Sequence, residues 1–260
     1  MTSYGNAARS VILLLLFAGL SGCATAGEAA SQEVPADVEA DGPASQKTPE
    51  PVVDDSQHGL VHAMEIYSSR TRSDWEAYAD AVVVVRVTDE RRIEPSEPDA
   101  TGEGEFNLVG RQIDLDVTQI IWVYEGVEAE LGDQITLEAS GWFEDSERAI
   151  EIAVEGRSRL ETGHQYVLAL KWYAEEIANA WGDVLPARWG LVGSGGTLPA
   201  DGDIIGVGEY QGVDSAEIDP SMLREGSLLA EHMGDTVEEF IAALDGFERV
   251  EREPVIPLEE

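Results

Sequence analysis

The chain has 260 residues and a formal net charge of -36, from 52 acidic side chains against 16 basic ones. Affinity for phosphate backbones depends on Lys and Arg releasing counterions, so nucleic acid is not an expected partner, and anionic lipid headgroups are disfavoured for the same reason. The 43% of apolar residues is still enough to build a hydrophobic core, while the acidic surface suits cationic proteins, divalent ions or simply solubility in salt.

In chain order, the first feature is an apolar run over 11–20, VILLLLFAGL, preceded by Arg9. A helix needs about 20 apolar residues to cross a bilayer, so this run reads as the core of a secretory signal. Leu20-Ser21-Gly22-Cys23 follows it and resembles the bacterial lipobox, in which the cysteine sulfur receives a diacylglycerol before cleavage on its amino side. The resemblance implies a signal peptide over 1–22 and a mature protein that begins at acylated Cys23. Cys23 is the only cysteine in the chain, and an unpaired thiol in an exported protein would be open to oxidation and cross-linking. Residues 23–56 are rich in Ala, Pro, Ser, Asp and Glu, with Lys47 the sole basic residue. Such a segment cannot bury enough surface to offset its ordering entropy and reads as a disordered tether. The expected address is therefore a cell-membrane lipoprotein facing the periplasm or the exterior, with the bilayer engaged through acylated Cys23.

The folded domain is expected over 57–250, with a tail over 251–260. A first helix over 57–68 would carry Leu60, Met64 and Tyr67 on one stripe. It would bring His58, His62 and Glu65 to one face, a spacing that can ligate a metal or form a plain polar face. The peptidase pattern H-E-x-x-H fails, because Gly59 follows the first histidine. Ser73-Asp74-Trp75-Glu76 matches a capping box for a second helix ending near Ala79.

From 81 onward the alternation is that of strands. The β-branched run 81–87 suits a strand covered on both faces. After a polar loop over 90–107, a strand over 112–124 places Ile113, Leu115, Val117, Ile121 and Val123 on one face. Its other face starts polar and turns apolar at Ile120, Trp122 and Tyr124, as in a curled barrel strand. Further strands are expected over 134–139, 149–154, 165–172, 188–192 and 204–207, separated by turns at 131–133, 161–163 and 201–203. A last helix over 235–244 puts Val237, Phe240, Ile241 and Leu244 on one stripe and stops at Asp245-Gly246.

The segments YADAVVVVRV, VYEGV, DQITLEA and LETGHQYVLAL, in this order and followed by a helix, resemble netrin-like domains, the OB-type barrels shared with tissue inhibitors of metalloproteases. The likeness spans about Ser73 to Leu244 and implies a mainly β fold, an OB-like barrel flanked by short N-terminal and C-terminal helices. That family's disulfides have no counterpart in a chain with one cysteine, and none of its inhibitory residues is carried over.

No catalytic motif emerges. Val192-Gly193-Ser194-Gly195-Gly196 lacks the first glycine of a nucleophile elbow, G-x-S-x-G, and reads as a turn. No Lys-Ser/Thr follows it, as a phosphate loop would require. Asp201-Gly202-Asp203 lacks the order of an EF-hand loop, whereas the acidic stretch 144–147 could bind calcium loosely. The expectation is a non-catalytic module with no cofactor that binds a protein or small ligand, an envelope protein being one partner. A calcium- or zinc-binding receptor and an unfamiliar hydrolase remain as alternatives.

Overall fold

The computed structural model describes residues 52–62, 65–93, 107–144, 148–177 and 184–252. Residues 1–51, which include the stretch read as a signal with Leu20, Ser21, Gly22 and Cys23 and most of the stretch read as a tether, lie outside the described residues, as do 145–147 and 253–260.

In chain order the elements are β1 (Val52–Val61), α1 (Arg72–Tyr78), β2 (Ala81–Arg92), β3 (Asn107–Val123), β4 (Gln134–Glu144), β5 (Arg148–Val154), β6 (Gln165–Tyr173), β7 (Glu176–Ile177), β8 (Val184–Leu185), β9 (Arg188–Leu191), β10 (Thr197–Pro199), β11 (Glu209–Tyr210), β12 (Val213–Asp214), α2 (Leu228–His232) and α3 (Val237–Ala243). The chain is mainly β, and one eight-stranded sheet curls into a half-barrel in the order β1-β5-β4-β3-β2-β6-β10, with β9 also paired to β6. Curvature comes from three register shifts between β2 and β3, at Val82/Val83, Val84/Val85 and Val87/Asp89, each of which bends the strand and increases its twist.

β2 and β6 are covered on both faces. Val83, Val85, Val87, Leu168 and Leu170 point into the concave side with Ile113, Leu115 and Leu137. Val82, Val84, Val167 and Ala169 point outward, under a layer built from Trp75, Leu228, Val237 and Phe240 of the helices. Alternate residues of one strand thus feed two cores, which is why the VVVV run carries no polar face. The half-barrel is tied across its interior by Arg111. Its fully buried guanidinium donates to the carbonyls of Ser140, Arg159 and Leu160 and to the carboxylate of Glu90. Burial, and then the neighbouring Arg159, lowers the pKa of Arg111, while Glu90 opposes the shift.

Several expectations need correction. The helix over 57–68 does not form. Val52–Val61 is instead a strand that pairs in parallel with β5, so pairing starts ahead of the boundary read at Gln57. The β-branched and apolar residues at Val52, Val53, Leu60 and Val61 fit a ladder, and an open β5 edge supplies the partner. The α1 cap is Thr71 with Asp74 rather than Ser73 with Glu76. Glu76 instead pairs with Arg72 at 2.8 Å. β2 runs on to Arg92 through the stretch read as loop, and β3 starts at Asn107. The strand expected over 204–207 reduces to a single bridge between Ile204 and Thr236, inside a turn that opens with Gly202 at φ 62°. Ile120 is 50% exposed, so the far half of β3 is not covered on both sides. Along α3, Val237, Phe240 and Leu244 are buried and Ile241 partly so, behind a capping box made by Thr236 and Glu239.

Among the described residues no helix is long and apolar enough to cross a membrane.

Candidate functional site: an arginine-lined cleft

The residues read from the sequence as a metal face do not assemble as one. His58 falls in β1, with its side chain outside the described residues. His62 pairs with Glu155 at the surface. Glu65 turns the other way and accepts from both the backbone N–H and the hydroxyl of Ser194. The helix that would have aligned them is absent, and among the described residues no three His, Cys, Asp or Glu side chains converge as metal ligands. Glu144, from the acidic stretch, forms a pair with Arg92.

Glu65 instead helps build a cleft on the side of the sheet that carries the helices. One wall is the segment 65–71, held from behind by Trp75, whose indole N–H donates to the Ser69 carbonyl at 2.7 Å. The Gly193–Gly196 loop lies hard against this wall. A Cβ at Gly193 would stand 2.5 Å from Ser69 Oγ, and one at Gly195 would stand 2.7 Å from the Ser69 carbonyl oxygen. These glycines therefore serve close backbone approach, with Gly193 at φ 57°. Ser194 is buried, and its hydroxyl is engaged by Glu65 and by Arg70 Nη2 at 3.3 Å. That makes it a bracket between two chain segments.

The second wall is the stretch 222–229, pinned by the Leu228 N–H to the Arg70 carbonyl at 2.7 Å. The third is the β11–β12 hairpin, whose turn has Gln211 at φ 58° and Gly212 at φ 80°. Both central residues are left-handed, as in the tight hairpin turns that match strand twist. Gln211 bears that backbone strain in a place where Asn or Gly is the usual solution. It lies on the cleft beside Tyr210. Arg70, Leu198, Tyr210, Gln211, Met222 and Arg224 line one half of the cleft. Arg70, Asp74, Arg224 and Glu225 line the other.

Beneath the hairpin sits a buried carboxylate. Glu209 accepts from the backbone N–H groups of Arg159, Leu160 and Gly212 and from the Tyr166 hydroxyl, at 2.7–3.1 Å. It thereby holds Leu160 at φ 68°, a left-handed geometry that a branched side chain rarely adopts. Arg157 nearby is pushed down to about 10 by burial and then by Arg111, with Glu209 and Glu65 pulling the other way. Burial, followed by the Glu209 charge, drives the Tyr166 phenol well above the usual range for tyrosine, and burial raises Tyr210 too.

The Tyr166 shift has a checkable consequence. Its folded-state pKa lies above the unfolded value of about 10, so the folded protein retains a proton that the unfolded chain releases. Stability from this group is fully present below pH 10 and is lost as pH rises beyond it. The advantage of the native chain over Tyr166→Phe should shrink by up to about 1.4 kcal/mol per pH unit above that point. Denaturant melts of the two proteins from pH 8 to 11 measure it, and a pH-independent difference would show that the phenol ionises freely.

Sequence reasoning singled out Glu65 and the VGSGG loop, but for other roles, and missed Arg70, Tyr210, Gln211 and Arg224 entirely. The one available signal was scarcity. With 16 basic residues in 260, an arginine outside a strand or helix is worth a question. No family model matches the chain, and no curated protein matches it either.

Proposed function

We propose that the chain is an acyl-anchored envelope lipoprotein whose half-barrel, a variant of the OB-like netrin arrangement with helices on its outer face, is a non-catalytic binding module that works through the arginine-lined cleft. The observation that carries this reading is the cleft itself. Three chain segments far apart in sequence meet there, at a strained Gln211 and around two arginines, in a chain poor in basic residues. Strain persists where surrounding structure over-determines it, and such places are often ligand clamps. The lipobox-like Leu20-Ser21-Gly22-Cys23 and the acidic tether support the address: a body held off the bilayer by a flexible arm would present the cleft to solutes or neighbouring proteins.

The test uses detergent-solubilised mature protein with carbon-13-labelled methionine methyl groups. Met222 is 79% exposed and lines the cleft, so its methyl resonance reports occupancy. A panel of small anionic, neutral and cationic compounds should include members that shift Met222 and leave Met233 in place. A panel that leaves Met222 unmoved throughout, or turnover of an ester, peptide or glycoside substrate, would contradict a non-catalytic binding cleft.

A further inference from the structure

We infer that the groove between α1 and the 249–252 stretch is the docking site of the chain's own segment 253–260, EPVIPLEE, laid across it as an extended strap. The inference concerns a second surface and stands apart from the binding role of the cleft.

The groove is open, of about 500 Å³, and Tyr67, Ala77 and Tyr78 make its floor. The two tyrosine rings lie 5.1 Å apart, centre to centre, and are tilted by 45°. Lys171 Nζ stands 5.3 Å from the centre of the Tyr67 ring. At the near end, Arg249 covers the half-exposed ring of Tyr124 at 5.3 Å, and Val250 beside it is 51% exposed. Aromatic faces and apolar surface therefore meet water here, on a molecule whose cores are otherwise well covered.

Lys171, Arg249 and Arg252 line the same groove, and two buried carboxylates behind them hold all three. Asp80 serves Lys171 and Arg249, and Asp74 serves Arg252. Both carboxylates are otherwise occupied. Asp80 also accepts the Trp172 N–H, and Asp74 accepts those of Arg70 and Thr71. The cations, by contrast, keep donors in hand. Arg249 spends only Nη1, on Asp80 and the Ala79 carbonyl, and Arg252 spends only Nη1, on Asp74. Lys171 stands 3.6 Å from Asp80, beyond hydrogen-bond length. The pairs fix where the cations sit and leave N–H groups for a further acceptor. Glu251, exposed on the rim, is the one carboxylate among the described lining residues.

The sequence supplies an occupant of matching chemistry, and it starts at the wall of the groove. Residues 253–260 continue directly from Arg252, with a reach of up to about 26 Å. Pro254-Val255-Ile256-Pro257 is a P-x-x-P sequence. Proline fixes its own φ and keeps the residue before it extended, so Glu253, Ile256 and both prolines favour a polyproline conformation before any contact forms. With three residues per turn, Pro254 and Pro257 share one face about 9 Å apart. Grooves walled by aromatic rings take such segments well, because a segment already extended loses little entropy on docking. Val255, Ile256 and Leu258 add apolar area, and Glu253, Glu259 and Glu260 bring acceptors for the uncommitted donors. Because the segment is attached, its effective concentration is of millimolar order, and a contact too weak for separate molecules suffices.

The test uses the detergent-solubilised mature protein labelled with carbon-13 at the isoleucine δ1 methyls, with Ile256 assigned through Ile256→Val. A methyl lying on the tyrosine rings resonates upfield of its position in the free peptide EPVIPLEE and cross-relaxes with ring protons. Both signs should be present and should survive tenfold dilution. Replacing Pro254 and Pro257 together with Ala should move the methyl at least halfway back to its free-peptide position, with no change in melting temperature. Arg252→Gln should move it the same way, as should raising salt from about 0.15 M to about 1 M, which shortens the Debye length from about 8 Å to about 3 Å. An Ile256 methyl at its free-peptide position in the native chain, or one indifferent to the proline replacements, would overturn the inference. A shift that fades on dilution would place the segment on a second copy of the chain and overturn it equally. None of these outcomes bears on Met222 or the cleft.

Discussion

Replacing Glu209 with Gln should cost about 3 kcal/mol of folding free energy, the largest effect expected from a single-atom exchange in this molecule. Each carboxylate oxygen takes two donors, Arg159 and the part-buried Gly212 on one, the buried Leu160 and Tyr166 on the other. An amide has one acceptor oxygen, so turned one way its NH2 faces the Arg159 and Gly212 N–H groups, and turned the other it faces the Leu160 N–H and a Tyr166 hydroxyl that can rotate to accept; at least one backbone donor loses its acceptor either way. Leaving a buried donor unpaired costs roughly 1–3 kcal/mol each. In a domain of this size the melting temperature should fall by roughly 6–12 °C. Differential scanning calorimetry measures it, and a fall of less than about 2 °C would mean that water or a rearranged backbone supplies the missing acceptors.

Trp75→Ala should be comparably severe, about 3–5 kcal/mol, for a different reason. The indole is fully buried and meets Phe240 edge-on with centroids 6.1 Å apart, so its removal opens a cavity between α1, α3 and the outer face of the sheet. The same substitution releases the Ser69 carbonyl, and with it the wall that carries Arg70. Trp75→Phe separates the two effects. It keeps most of the apolar contact, should cost about 1–2 kcal/mol, and should still disturb the Met222 methyl through the loosened wall. A Trp75→Phe protein with native stability and an unchanged Met222 signal would show that the indole hydrogen bond does not position the cleft.

The legible parts of the fold were those set by periodicity. Val82 to Val87, Ile113 with Leu115, Ile135 with Leu137, and the Val237, Phe240, Leu244 stripe each announce a buried face, because alternation and helical spacing are local properties of the chain. Long-range partners decided the rest. Residues 57–68 carry a helical stripe on paper, yet pairing with the edge of β5 makes 57–61 part of a strand, and neighbouring sequence holds no trace of that edge. The apolar residues at the far end of β3 promised cover on both sides, and the register shifts against β2 turned Ile120 out to solvent.

The candidate site was less legible still. Glu209, Arg111 and Arg224 are charged residues like many others in an acidic chain. What distinguishes the first two is geometric: four donors converging on one carboxylate, and a guanidinium spanning three carbonyls. Ser194 shows the converse. Its glycine-rich setting suggested a turn or a nucleophile, and it proves to be a bracket whose glycines are dictated by the backbone of 67–70 pressing against them.

Under the proposed anchoring, acyl chains on Cys23 would hold at a membrane a body that gains little from anionic headgroups, and the stretch 23–56 read as a tether would let the cleft sample its surroundings. The most direct test is the intact mass of the N-terminal peptide of mature protein extracted from membranes, alongside Cys23→Ala. Envelope anchoring predicts a peptide that begins at Cys23 and carries a diacylglycerol on its sulfur, together with loss of processed, membrane-retained protein in Cys23→Ala. A mature chain that begins elsewhere, or one that carries a free Cys23 thiol, would contradict it.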